Sequence, residues 1–166
     1  PTVYESRIAV PTDYEFVLKF MCDTYFKSEP SIVNIGLATK ETPPILIDMM
    51  NNQIKEGKSL IILDEQGCII GAAVNSGMGE CDPARLRKIA ACEPNKDVAN
   101  LIRFYATIAE KPNLWETYDV YRIFECSCVA VEPQHQGVGL ATKLIKDSWM
   151  LARDLGCKVF RIDCSS

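Results

Sequence analysis

The stretch that most constrains the fold runs from Tyr121 to Cys164. Tyr121 to Val131 ends in an apolar run, Cys128-Val129-Ala130-Val131, and reads as a buried strand. A short turn with two glycines follows, Gln134-His135-Gln136-Gly137-Val138-Gly139. The next residues take helical period. Leu140, Ala141, Leu144, Ile145, Trp149, Ala152 and Leu155 form an apolar stripe, with Lys143, Lys146, Asp147, Arg153 and Asp154 opposite. Gly156 stops the helix, and Lys158 to Cys164 reads as another strand. Strand, tight turn, amphipathic helix and strand bury their apolar faces together when the two strands lie parallel under the helix. The chain is therefore assigned to the α/β class.

The glycine turn also has chemical meaning. A helix start presents unpaired N–H groups and the positive end of its dipole. Glycines keep side chains from blocking a phosphate that approaches them. The turn reads as a diphosphate cradle or as a plain strand-to-helix connection, and the local pattern does not separate the two. A dinucleotide site needs G-x-G-x-x-G and the rest of a nucleotide-binding half. Thr142 stands at the third small position and three residues follow Asp163, so that reading is set aside.

Upstream, Tyr4 to Val10 reads as a strand broken by Pro11. Thr12 with Glu15 fits a capping box, opening a helix that Pro30 ends. Thr42 followed by Pro43 fits a second helix start, with Ile45, Leu46, Met49 and Ile54 on its apolar face. Ser59–Leu63 and Cys68–Val74 form a hairpin, Asn75–Glu80 a loop, and residues 83 to 118 helices broken at Pro94 and Pro112. Asn95 is the expected cap of a helix whose buried face is Val98, Leu101, Ile102, Tyr105 and Ile108.

Residues 1–166 suffice for one domain with its own core. A net charge of -4 without a basic stripe argues against a nucleic-acid partner. No run approaches the ~20 apolar residues of a membrane span, and no basic-then-apolar leader opens the chain. A cytoplasmic monomer without a membrane partner is expected. The eight cysteines include no Cys-x-x-Cys pair, and His135 is the lone histidine, so no metal is expected and the thiols are read as reduced.

Val131 to Ala141 resembles the acetyl-coenzyme A signature of the GNAT superfamily, R/Q-x-x-G-x-G/A. Gln136, Gly139 and Ala141 occupy its positions; a register on Gln134, Gly137 and Gly139 also fits. The first keeps the family's spacing from the preceding strand. The resemblance implies the GNAT acyl-CoA N-acyltransferase fold, a mixed central sheet flanked by helices, with acetyl-CoA as co-substrate. It implies that N–H groups of Gln136, Gly137, Val138, Gly139, Leu140, Ala141 and Thr142 hold the diphosphate. Val129, Ala130 and Val131 would pair with the pantetheine arm, where the flanking strands splay.

An amine acceptor, protonated at neutral pH with a pKa of about 10, needs a base before it can attack a thioester. A histidine pair is impossible here. Tyr25-Phe26-Lys27-Ser28-Glu29-Pro30 resembles a segment of the insect-type arylalkylamine (dopamine and serotonin) N-acetyltransferases. That resemblance implies Glu29 as general base and Ser165 as its partner. It implies a small-molecule amine as acceptor, attacking directly. Those enzymes continue with a further helix and two strands, so the resemblance also implies a domain that stops short of its C-terminal part. Phe104, Tyr105 and Trp115 suit an aromatic amine and suit a core equally well. A polyamine or protein-lysine acetyltransferase, or a non-catalytic acyl-CoA-binding domain, remain as alternatives.

Overall fold

The computed structural model describes residues 4–164. Five strands make one mixed sheet: β1 Ser6–Ile8, β2 Leu60–Leu63, β3 Ile69–Gly79, β4 Arg122–Val131 and β5 Phe160–Ile162. They lie in sequence order across the sheet. β1 to β4 are antiparallel neighbours and β5 runs parallel to β4. The parallel pair is the one required by the strand–turn–helix–strand unit. The β2–β3 turn is an Asx turn: Asp64 Oδ1 accepts from the Gln66 and Cys68 N–H groups at 2.9 and 2.7 Å.

Eight helices flank the sheet: α1 Tyr14–Asp23, α2 Tyr25–Ser28, α3 Pro30–Asn34, α4 Pro44–Ile54, α5 Asp82–Cys92, α6 Lys96–Glu110, α7 Leu114–Tyr118 and α8 Leu140–Asp154. α8 covers one face, where Leu140 and Leu144 meet Leu60, Ile62, Ala73 and Val131. α1, α4 and α6 cover the other, with Met21, Met50, Ile54 and Ile102 in one cluster with Ile61, Ala72, Val74 and Ala130. Covering both faces explains why Leu60, Ile61 and Ile62 are all buried rather than alternating with polar residues.

Several local expectations are corrected. Thr12 makes no capping box; a single 3-10 turn, Pro11–Asp13, leads into α1, and Asp13 Oδ2 accepts from the Val10 N–H at 2.8 Å. The expected stop before Pro30 is present, since α2 ends at Ser28 with Glu29 in an extended C-cap position. Pro30 also starts a new helix, at the first position of α3, where its missing N–H costs nothing and Glu29 is the N-cap. α4 likewise starts at Pro44, with Pro43 in the cap position held by Thr42 in the sequence reading. Asn75 to Gly79 is not a loop but the second half of β3. Asn75 is fully buried and its amide nitrogen donates to Lys58 O at 3.0 Å and Ser148 Oγ at 2.9 Å, so its donors are satisfied inside the sheet, while its buried Oδ1 has no partner among the described residues. On α8 the buried row is Leu140, Leu144, Ser148 and Ala152, four residues apart. Trp149 and Leu155, expected inside, are more than half exposed because they lie beside that row.

Asn95 caps α6 as expected, accepting from the Asp97 and Val98 N–H groups. Gly156 ends α8 in the left-handed region at φ 75°.

Leu144 has no exposed surface and fills the space above Gly71. Leu144→Ala is expected to lower unfolding free energy by about 3 kcal/mol, measured by denaturant titration.

Candidate active site

The glycine turn has the backbone its sequence requires. After a 3-10 turn, Pro133–His135, Gly137 and Gly139 take φ 81° and 87°, a region that disfavours side chains. Gly139 is the N-cap of α8, and no side chain caps that helix. The first-turn N–H groups are left without a side-chain cap at the positive end of a fifteen-residue dipole, and nothing lies within 4 Å of where a Cβ on Gly137 or Gly139 would stand. Gln136 donates from Nε2 to Val131 O at 3.0 Å, tying the turn to the end of β4. His135 packs beside the turn, with Nδ1 3.0 Å from Glu132 Oε2, and takes no part in the cavity described below.

β4 carries the second element. Val74 faces Cys128 and Asn75 faces Cys126, so Ser127 is an extra residue without a partner on β3. This bulge breaks the alternation of side chains. Ser127 and Cys128, adjacent in sequence, both line one cavity, and Glu125 lines it with them. Among the described residues, pairing of β4 with β5 stops at Cys126 opposite Ile162, while β4 continues to Val131. No described residue pairs with the β5-facing edge of β4 over Val129, Ala130 and Val131.

The cavity has a volume of about 620 Å³. Glu29, supplied by the α2–α3 junction, lines it. Its Oε2 accepts from the Ile32 N–H at 2.9 Å and from the Ser31 hydroxyl. Its Oε1 has no protein donor among the described residues. Tyr25, Tyr105 and Cys128 lie near Glu29, and burial pushes both phenols and the thiol above their ordinary ranges, so all three stay protonated. Glu125 is a second carboxylate in the lining. Ser127 Oγ is 3.4 Å from Glu125 Oε2, and Gln53 Nε2 donates to Ser127 Oγ at 3.0 Å. Ser76 Oγ adjoins Ser127 at 3.3 Å. Burial raises the Glu125 carboxyl to about 7, against the opposing pull of Arg161. Arg161 is itself buried, donating to Ala109 O at 2.8 Å and pairing with Asp163 at 2.6 Å.

The structure therefore brings Glu29 and Val129 to one cavity and sets the glycine turn at the far end of the same strand. Ser165 lies outside the described residues. Glu125, Ser127 and Gln53 escaped the sequence reading. Glu125 had left one signal, a carboxylate within a strand of buried residues, and charge that deep is rare without a role or a partner.

No family model matches the chain. Solved structures match it along nearly its whole length. Arylalkylamine N-acetyltransferase 2 from Aedes aegypti aligns with a TM-score of 0.90 at 25% identity, covering 98% of this chain and 76% of that one. A mosquito arylalkylamine N-acetyltransferase like 5b aligns at 0.90 and 18% identity, over 99% and 77% of the two chains. A polyamine N-acetyltransferase from Drosophila melanogaster, which forms N-acetylagmatine, aligns at 0.87 and 19% identity, over 99% and 77%.

The raised Glu125 carboxyl fixes a sign for stability. Between the ordinary carboxyl value of 4.5 and about 7 the folded chain holds a proton that the unfolded chain has lost. Its contribution is present below pH 4.5 and disappears as pH rises through 7. Glu125→Gln, which carries no charge, is expected to match the parent near pH 4.5 and to exceed its unfolding free energy by about 3 kcal/mol at pH 8. Denaturation midpoints across that range measure the difference.

Proposed function

We propose, from the GNAT acetyltransferase fold that the chain shares with these structures, that it transfers the acetyl group of acetyl-CoA to the primary amine of a small arylalkylamine, with Glu29 as general base. One observation carries this reading. A single cavity joins the Glu29 carboxylate to β4 at the point where β4 parts from β5.

In this reading the diphosphate rests on N–H groups of residues 136 to 142, and the pantetheine arm runs along Val129 to Val131 as a strand would. The cavity lining includes Glu29, Glu125 and Asp163 and, among the described residues, no lysine, arginine or histidine. Such a lining attracts an ammonium group. Glu29 Oε1 accepts the ammonium proton, directly or through water. The neutral amine forms its bond to the thioester carbon, the carbon–sulfur bond breaks, and the second proton that the nitrogen sheds on becoming an amide passes, through water, to the departing thiolate. N–H groups of β4 stabilise the oxyanion meanwhile. Ser165 joins Glu29 on the strength of the sequence resemblance. Tyr25, Phe26, Phe104 and Tyr105 offer aromatic faces for the acceptor's ring.

Direct attack is supported over an acetylated cysteine. The Cys128 thiol is held protonated by burial, and a thiol in that state is a poor nucleophile. A polyamine acceptor is the second reading, favoured by the three lining carboxylates.

Glu29→Gln keeps an oxygen for the Ile32 N–H and removes the base. It is expected to lower kcat at least about a hundredfold while calorimetry gives an unaltered Kd for coenzyme A. Wild-type turnover near neutral pH in that variant excludes Glu29 as the base. Gly139→Val places a branched side chain at φ 87° in front of the helix start. It is expected to weaken coenzyme A binding by about tenfold or more; undiminished affinity removes the turn from the binding site.

A further inference from the structure

Two glutamates, Glu29 and Glu125, line the cavity, and the proposed chemistry uses one. β4 gives the cavity wall an order. Glu125 lies opposite Arg161, where β4 and β5 are still paired. Cys128 lies beyond the last pair, and both Glu29 and Glu125 act on its thiol. Strand rise is about 3.3 Å per residue, so Glu125 and Val129 lie roughly 13 Å apart along β4, somewhat less across the bulge. In the proposed reaction the unpaired edge and Glu29 mark the level where the amine reacts; Glu125 lies further back along β4, where it is still paired with β5.

Around Glu125 the polar groups that line the cavity do not fill one another's needs. Glu125 has one protein donor, the distant Ser127 hydroxyl, and its Oε1 has none among the described residues. Arg161, the neighbouring cation, spends its hydrogen bonds on Ala109 O, Ile108 O and Asp163. Burial already disfavours the Glu125 charge, and a donor arriving from the cavity relieves that penalty.

We propose that Glu125 reads the far end of the acceptor, selecting amines that carry a hydrogen-bond donor remote from the amine that is acetylated. The donor is a ring hydroxyl in an arylalkylamine or the second amine of a diamine; both present N–H or O–H to the free carboxylate oxygen. Ser127 and Gln53 are positioning residues that hold the carboxylate through its other oxygen. This inference rests on the amine N-acetyltransferase reading.

The test compares acceptors that differ by one donor, using the full chain and acetyl-CoA: phenethylamine against tyramine, and pentylamine against 1,5-diaminopentane. The donor-bearing member of at least one pair is expected to have a kcat/KM about tenfold higher or more. Glu125→Leu is expected to bring that ratio near one. Glu125→Gln, which keeps the shape and an acceptor oxygen, is expected to retain a hydroxyl preference and lose a diamine preference. A preference confined to tyramine assigns the donor as hydroxyl, and one confined to the diamine assigns it as ammonium; either supports the proposal. Ratios near one in the parent chain, or ratios that persist in both variants, overturn it while leaving amine acetylation intact. If no amine is acetylated although coenzyme A binds, the underlying reading falls and takes this one with it.

Discussion

One extra residue in β4 organises the site. Antiparallel pairing between β3 and β4 alternates side chains strictly until Ser127, which has no partner. A regular strand would send Ser127 and Cys128 to opposite faces. The bulge turns both toward α4 and the cavity, and bulges sharpen local twist. Pairing with β5 ends one residue earlier, at Cys126. The same irregularity thus accompanies the unpaired edge and clusters Glu125, Ser127 and Cys128 on one wall. Asn75, buried across the sheet from it, anchors the irregular segment to Lys58 and to Ser148 of α8.

Electrostatics then distinguishes this cavity from an ordinary gap in packing. Its lining includes the carboxylates of Glu29, Glu125 and Asp163 and no cation among the described residues. The nearest buried cation, Arg161, is turned away, bonding the carbonyls at the end of α6 and Asp163. It fastens β5 to α6 and leaves Glu125 only partly compensated, which is why burial dominates that carboxyl. Glu29 is held differently. As N-cap of α3 it accepts a main-chain N–H, which fixes its orientation through a helix start and not through packing.

The parts of the fold legible in advance were those with local causes. Apolar period, glycines at turns and the Asn95 cap located α8, the β2–β3 hairpin and α6. Errors arose where polar residues were buried by partners distant in sequence. Asn75 and Ser76 read as loop because their amide and hydroxyl partners lie in α8, in β4 and before β2. The helix that Pro30 opens was missed because the glutamate before it was not recognised as a cap. Trp149 read as core because a wide apolar stripe does not say which of its edges the sheet covers.

The sequence alone determined the strand–turn–helix–strand unit, since a tight glycine turn and one amphipathic helix leave two flanking strands little choice but parallel pairing. It also determined the left-handed turn at Gly137 and Gly139, because that backbone is a local property of glycine. Only the tertiary structure decided that Glu29 and Glu125, nearly a hundred residues apart in sequence, line the same cavity. Only it placed Ser127 in a bulge. Strand register and cavity shape depend on which distant surfaces pack together, and no short stretch of chain encodes that pairing by itself.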